Sequence, residues 1–455
     1  MSYLETNTVL CHNQHGFRSG RSCLTQMLSH FDDVCLGLTN NFDTDAIYLD
    51  YAKAFDKVDH RLLLAKLQLY GFSSNLLKWI ESFLTDRKQS VVIDGHYSCP
   101  SKIISGVPQG TVLGPILFIL FINDMENCVK HSKVRFFADD TRISKQVSSE
   151  IHVRELQEDL DSVMTWSLHN NMMLHEDKFQ LMVHQHHPAA PLLQMPFAIE
   201  QMTYKVSNGE TLYPVEQLPD LGVVVSSDLS WSPHIYAVVS KARSVASWVL
   251  SAFKARDKVT MCTLYKSLVR SHLEYCCPLW NPSKICDIQL LEEVQRTFTS
   301  KIYGVQHLNY WDRLRKLGLM SLQRRRERYI LIQMWKILHS LAPNDVDVKF
   351  NAPSRRGITA QVPTLNRNSS RLNQTRYDSM FSVIGPRLWN VLPQHLTTNT
   401  DCTVFKHLLT DYLRSFPDTP PVSGYSSANG NSILDWCENN AEMMRGRSGD
   451  HLMTQ

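Results

Sequence analysis

The sequence predicts an α+β fold, and three observations carry that prediction. Through roughly the first 200 residues, strand-like and helix-like segments alternate irregularly, which suits helices segregated around a sheet better than a parallel βαβ array. After about residue 200 the texture changes, and residues 234–345 read as mostly helical, with apolar and basic positions interleaved. Hydrophobic content of 43% and charged content of 20% are ordinary for a globular chain, and 455 residues leave room for two or three domains.

The elements follow in order. Met1 to Asn13 shows no clear element and runs into Gln14-His15-Gly16-Phe17-Arg18-Ser19-Gly20-Arg21-Ser22. Apolar Leu24, Met27, Leu28, Phe31 and Val34 predict a helix from Ser22 to Leu38. Ala46 to Leu49 reads as a strand ending in Asp50. Leu62 to Leu84 is one or two helices broken near Gly71, and Val91 to Gly95 is a hairpin arm with an Asp-Gly turn. Ser105 to Gly114 is a Gly/Pro-rich loop leading into an apolar helix that runs to about Asn127. Val134 to Ile143 reads as strand–turn–strand with two acids at the turn, and Val153 to Leu168 as an amphipathic helix. Leu221 to Val225 is hairpin-like, residues 346–415 are mixed, and from Phe416 the Pro, Ser, Gly and Asn content predicts a flexible tail.

Composition narrows the function. The longest apolar candidate, Val112 to Ile122, contains Gly114 and Pro115 and is too short to cross a bilayer, so no membrane partner is expected. No basic-then-apolar leader opens the sequence, so secretion is not expected. The eleven scattered Cys fit free thiols in a reducing compartment. The net charge of +3 hides an asymmetry: residues 241–340 hold 18 Lys/Arg against 7 Asp/Glu, and the remainder is net acidic. A basic segment beside an acidic one suggests a polyanion-binding module next to a metal-binding one, although a solvated helical surface gives the same count.

Two acidic sites stand out because each ends an apolar strand: Ile47-Tyr48-Leu49-Asp50, and Arg135-Phe136-Phe137-Ala138-Asp139-Asp140. Carboxylates beside apolar strands are costly unless a cation or donor compensates, and a hard divalent ion does so. A pair of such ions can hold the attacking and leaving oxygens of a phosphoryl displacement. An isolated Asp-Asp pair more often marks a solvated turn. Between the two acids, however, lies Ser105-Gly106-Val107-Pro108-Gln109-Gly110-Thr111-Val112-Leu113-Gly114-Pro115. Its glycines allow the backbone to approach a nucleobase or sugar, Pro108 stiffens it, and Gln109 can donate and accept.

In this combination the chain resembles the reverse transcriptases of non-LTR (LINE-type, jockey/CR1-like) retrotransposons. The pieces "QHGFRSGRS", "YLDYAKAFDKVDH", "SGVPQGTVLGPILF" and "FFADDT" occur in family order from Gln14 to about Lys178. Later pieces, "LGVVVSSDLSWSPHI", "SLVRSHLEYCCPLWNP", "LEEVQRTFTSKIYG", "LGLMSLQRRRERY" and "GPRLWNVLP", extend the resemblance to about residue 415 less specifically. It implies a right-hand polymerase: partial fingers and an antiparallel palm over residues 1–200, a basic helical thumb and connection over 201–345, a C-terminal extension over 346–415, and the flexible tail over 416–455.

The implied activity is RNA-directed DNA synthesis from dNTPs on a primer 3′-hydroxyl, with an RNA template, a DNA primer or target, and two Mg²⁺ ions that Mn²⁺ can replace. By resemblance, Asp50 and Asp139 are the metal-binding pair, Asp140 supports them, and Tyr51 adds a backbone carbonyl. Phe55 matches the aromatic that excludes a ribose 2′-hydroxyl. Asp56, next in the pattern, suits a hairpin or surface role. Arg18, with Arg21, falls where the family meets the triphosphate, and a guanidinium there offers bidentate contacts. Gln109 and Gly110 line the base pair and template. Lys178 matches a lysine that protonates pyrophosphate, although His175-Glu176-Asp177 before it departs from the family form. Lys241, Arg243, Arg324, Arg325, Arg326 and Arg328 are expected to grip the template–primer backbone.

His184, His186 and His187 read as a polar turn, and Cys276, Cys277 and Cys286 as core cysteines, because neither set has zinc spacing. The family carries more sequence before "QHGF", often with an endonuclease, so the resemblance implies an N-terminally truncated chain. The competing expectation is a catalytically inactive relic or an RNA-binding protein with the polymerase fold. Action in the nucleus is implied by the class alone; otherwise nuclear and cytoplasmic locations are both open.

Overall fold

The computed structural model describes residues 1–186, 203–355, 357–365, 370–424 and 430–439. The chain divides into two compact units, one formed by Met1–Gln26 and Asn40–Leu221, the other by Met27–Thr39 and Gly222–Gln455. This division falls after Leu221, not at the expected residue 200, and it joins the expected thumb and C-terminal extension into one body. Among the described residues, no helix is long and apolar enough to cross a membrane.

In the first unit a short helix α1 (Ser2–Thr6) occupies the segment where the sequence showed no element. Helix α2 (Cys23–Thr39) begins here. Strand β1 (Asp43–Leu49) is followed by α3 (Ala54–Lys57), α4 (His60–Leu69) and α5 (Ser74–Leu84). Asp59 caps α4 by accepting from the amides of Arg61 and Leu62, satisfying donors a helix start leaves open. Short strands β2 (Lys88–Gln89), β3 (Val92–Ile93), β4 (His96–Tyr97) and β5 (Ser101–Lys102) form an exposed double hairpin. Its tip is Asp94-Gly95, both with positive φ, as a two-residue turn between twisted strands requires.

Helix α6 (Leu113–Phe121) is apolar on every side, and Leu117 to Phe121 are all buried. Pro115 sits in its first turn, where its missing N–H costs nothing. Strands β6 (Lys133–Phe137) and β7 (Asp140–Val147) are joined by a two-residue turn. Helix α7 (Glu150–His169) buries Val153, Leu156, Leu160 and Val163, spaced along one face. Strand β8 (Gln180–His184) completes a four-stranded antiparallel sheet in the order β6-β7-β1-β8. One face of β1, carrying Ile47 and Leu49, packs into the apolar core with Phe118, Phe121, Leu156 and Leu160. Strands β9 (Tyr204–Lys205), β10 (Thr211–Leu212) and β11 (Gln217–Asp220) end the unit.

The second unit begins with β12 (Val223–Ser226) and the long helix α8 (Ser232–Ala252). Helices α9 (Lys258–Leu264) and α10 (Arg270–Glu274) flank a π-helical turn at Tyr265–Val269. Then come α11 (Ile285–Thr299), α12 (Tyr310–Leu317) and α13 (Leu322–Leu338). Residues 346–415, expected to be mixed, are mainly helical: α14 (Arg371–Ser379), α15 (Phe381–Asn390), α16 (Gln394–Thr397) and α17 (Cys402–Arg414). From α2, Asp32 accepts from the amides of Phe381 and Ser382 at 2.9 and 2.8 Å.

The expected tail is packed where it is described. Phe416, Val422 and Ile433 are buried, and α18 (Ile433–Asn439) follows. The carbonyls of Pro417 and Asn431 accept from Arg324, and the Pro420 carbonyl accepts from Trp311 Nε1. Prolines lack a donor but keep their acceptor, so a proline-rich segment can be tied down by side-chain donors.

Candidate active site

Register builds the site. In the antiparallel ladder Leu49 pairs with Thr141 and Tyr48 with Gln180. One step further, the β1–β7 register brings Asp140 beside Asp50, while Lys178, in a 3-10 turn (Glu176–Lys178) just before β8, comes to Asp50 by its side chain. Residues paired across strands share a face, so Asp50 and Asp140 stand together, with Gln180, Tyr48 and Arg142 in the row behind them. All six line a cleft of about 450 Å³, together with Asp177 and Asp220. Asp139 sits in the turn joining β6 to β7, at the same end of the sheet.

The electrostatics fit a crowded anionic site. Withdrawal from water, and then the charge of Asp50, raises the Asp139 carboxyl above its ordinary range. Asp140 stays at the solvent edge, yet partial desolvation and then the charges of Asp139, Asp220 and Asp50 push it up to about 6. Lys178 Nζ lies 2.9 Å from Asp50 Oδ2, and both side chains remain open to solvent. Clustered carboxylate oxygens are the donor set of a hard divalent cation. Among the described residues, no three Asp, Glu, His or Cys side chains are already drawn onto a single point.

Tyr51 is buried, with its hydroxyl donating to Met125 Sδ at 3.0 Å. Its bridge to Leu174 is closed by Ala52 N–H on the Met173 carbonyl and His175 N–H on the Asp50 carbonyl. The Tyr51 carbonyl takes no part in that pairing. Phe55 stacks on Phe118 with ring centroids 4.1 Å apart and meets Phe17 edge-on at 6.2 Å. The ring is therefore braced on two sides, one of them by the QHGF segment.

The Pro-Gln-Gly loop is fastened to the turn after Phe55. Gly106 N–H donates to the Val58 carbonyl, Val107 N–H to the Phe55 carbonyl, and Gln109 Nε2 to Asp56 Oδ1 at 2.9 Å. A Cβ on Gly106 would stand 2.7 Å from the Asp56 carbonyl, so this glycine serves a close backbone approach within the protein, not one toward a base. Gly110 has φ +77° and nothing within 4 Å of where a Cβ would lie, so its face is open. The surface role expected for Asp56 is thus a positioning one.

Several expected contacts do not stand. Arg18 is held by Glu5 of α1 and donates to the Cys11 carbonyl at 2.6 Å, leaving its side chain 8% exposed. It has no free fork for a triphosphate. Arg21 is half-buried, 3.3 Å from ring nitrogens of His15 and His12. In α13 the basic run points inward. Arg324 is 1% exposed and paired with Glu327, and Arg326 is buried with its guanidinium over the Trp280 ring at 5.6 Å. Arg325 chelates Glu274, and Arg328 donates to Thr410 at 3.0 Å. Arg324, Arg325 and Arg328 spend donors inside the unit, whereas the Arg326 guanidinium nitrogens have no hydrogen-bond partner among the described residues and its plane lies on Trp280. Lys241 and Arg243, on α8, are exposed.

Of the discounted clusters, His184 is buried and His186 bonds Asp43, while His187 lies outside the described residues. Cys276 and Cys277 are buried and Cys286 is exposed. Sequence reading missed Arg142 and Asp220. Arg142, 2% exposed, pairs with Asp220 and donates to Gln26 Oε1 at 2.9 Å beneath the cleft. No signal in the sequence singled out either residue.

Residues 2–212 match the family model described as reverse transcriptase (RNA-dependent DNA polymerase). The probable RNA-directed DNA polymerase from transposon X-element of Drosophila melanogaster is 22% identical over 314 residues, covering 67% of this chain and 33% of that protein. The RNA-directed DNA polymerase from mobile element jockey of Drosophila funebris is 26% identical over 302 residues, covering 64% and 32%. The chain thus spans about a third of the length of these curated relatives. Among solved structures, apo telomerase from Candida tropicalis aligns with a TM-score of 0.40 and 10% identity, over 76% of this chain and 53% of that one.

Proposed function

We propose that this chain, whose residues 2–212 constitute a reverse transcriptase domain akin to those of the jockey and X-element transposons, is an RNA-directed DNA polymerase extending a primer 3′-hydroxyl with dNTPs. The observation that carries the reading is the meeting of Asp50 with Asp140 across the β1–β7 ladder and with the Lys178 side chain, with Asp139 in the adjoining turn, at one mouth of the sheet. On this reading the first unit is fingers and palm, and the helices following residue 222 are the thumb.

Asp50 and Asp139, with the Tyr51 carbonyl, would hold a pair of Mg²⁺ ions that Mn²⁺ can replace, and Asp140 would support them. Bound there, such ions neutralise the triphosphate and ease loss of the primer hydroxyl proton. The chain's own residues do the rest. Phe55, braced by Phe118, leaves no room for an oxygen on C2′ of the incoming sugar. Gln109, pinned by Asp56, and the open face of Gly110 receive the base pair and template. Lys178 stands beside Asp50 to deliver a proton to the leaving pyrophosphate. Arg21 is the basic residue left for the triphosphate, and Lys241 and Arg243 meet the template–primer backbone. Insertion into chromosomal DNA would place this reaction in the nucleus.

Primer extension on an RNA template with dNTPs and Mg²⁺ tests the reading. Wild type is expected to extend, and Asp139→Ala to lose at least ~100-fold of the rate. Absence of product from wild type, or equal product from the variant, overturns it and favours a non-catalytic RNA-binding chain.

A further inference from the structure

The turn that presents Asp139 is strained. Ala138 enters it with φ +56°, a left-handed conformation that a residue with a Cβ adopts only when its surroundings enforce it. One short upstream segment enforces it with three hydrogen bonds to the hairpin and one that fixes its own side chain. The Asn13 carbonyl accepts from Phe136 N–H at 3.0 Å, and His15 N–H donates to the Phe136 carbonyl at 2.9 Å. The Gln14 side chain then reaches the turn itself: Oε1 accepts from Ala138 N–H at 3.0 Å and from Gly16 N–H at 2.7 Å.

Two backbone donors converging on one amide atom identify that atom as the oxygen, so the orientation of Gln14 follows from geometry. Gln14 is 1% exposed, and its Nε2 has no hydrogen-bond partner among the described residues. A buried, unsatisfied amide nitrogen is a cost that an apolar side chain of similar size would avoid. The acceptor atom must therefore be what the position requires. Gly16 belongs to the same device, because a Cβ there would stand 2.4 Å from the Ala138 nitrogen. The segment lies flush on the acid-bearing turn.

We propose that Gln14 is a positioning residue for Asp139, holding the Ala138–Asp139 turn in its strained form and so fixing where the carboxylate meets Asp50. Gln14 touches neither metal nor substrate and acts through the Ala138 amide. The inference deepens the polymerase reading and rests on it. Without the clamp, Ala138 relaxes toward negative φ and carries Asp139 away from its neighbour.

The test compares full-length wild type with Gln14→Met, Ala138→Gly and the double variant. Mn²⁺ binding is followed by EPR without nucleic acid, and the Mg²⁺ dependence of primer extension is followed in parallel. Gln14→Met is expected to weaken Mn²⁺ binding and raise the half-saturating Mg²⁺ by ~10-fold, with a smaller change in rate at saturating metal. Adding Ala138→Gly is expected to restore most of that loss, because glycine takes the left-handed turn without a clamp. A folded Gln14→Met with unchanged metal response, or a loss that Ala138→Gly leaves untouched, overturns the proposal. Amide hydrogen exchange on wild type needs no variant: Ala138 N–H is expected to exchange slowly, and rapid exchange also overturns it. Wild type that binds Mn²⁺ without extending primers counts against the polymerase reading alone. Wild type that extends, beside a Gln14→Met of unchanged metal dependence, counts against the Gln14 role alone.

Discussion

At the scale of single residues, the sequence displayed the acids and hid what aims them. Asp50 and the Asp139-Asp140 pair were legible because each site follows an apolar strand, and alternation fixes which residues of a strand share a face. Gln14, Asp56, Arg142 and Asp220 were not, since their roles come from partners distant in the chain: Gln14 meets Ala138 124 positions away, and Arg142 meets Asp220 78 away. Arg18 misled for the same reason, because its partner Glu5 lies in a segment with no visible pattern. Phe55 is the residue whose role is most open to trial. Phe55→Ala is expected to lower the preference for dNTPs over rNTPs by ~10-fold or more, measured by competing nucleotides in primer extension. Unchanged discrimination would make the ring a core residue only.

At the scale of elements, β1, the β6–β7 hairpin, α2, α4, α5 and α7 followed their periodicities closely. The hairpin tip at Asp94-Gly95 followed its turn chemistry. The region after residue 345 did not, and α15 forms there even with Pro386 inside it. Charge counting failed on α13. A one-dimensional tally cannot see that Arg325 is answered by Glu274 51 positions away, or that Arg324 is answered by Glu327 and by two tail carbonyls. The two basic helices should therefore behave differently. Lys241→Ala with Arg243→Ala is expected to reduce the salt dependence of template–primer binding by about two phosphate contacts, with little effect on melting. Arg324→Ala is expected to destabilise the chain by about 3–5 kcal/mol, because it leaves a buried carboxylate unpaired. Binding isotherms at several salt concentrations and thermal melts check both. A steeper salt effect from Arg324→Ala than from the α8 pair would reverse the assignment.

At the scale of the whole molecule, the second unit holds more buried charge than composition suggested. Burial pushes Glu292 up to about 7 from 4.5, although Tyr310 donates to it at 2.6 Å and Gln323 N–H at 2.9 Å. Between those values the folded chain keeps a proton that the unfolded chain releases. Its contribution to stability is therefore present at low pH and lost as pH rises through that window. Glu292→Gln mimics the protonated form. Its melting temperature relative to wild type is expected to rise from pH 5 to pH 8, and a difference independent of pH would show that Glu292 is ionised throughout.

The most direct measurement is an anomalous-difference map from crystals grown with template–primer, a non-hydrolysable dNTP and Mn²⁺. The expected result is metal density between the Asp50 and Asp139 carboxylates, with Phe55 against the sugar of the nucleotide. Density elsewhere in the cleft, or an ordered nucleotide with no metal between those two acids, would contradict the assignment.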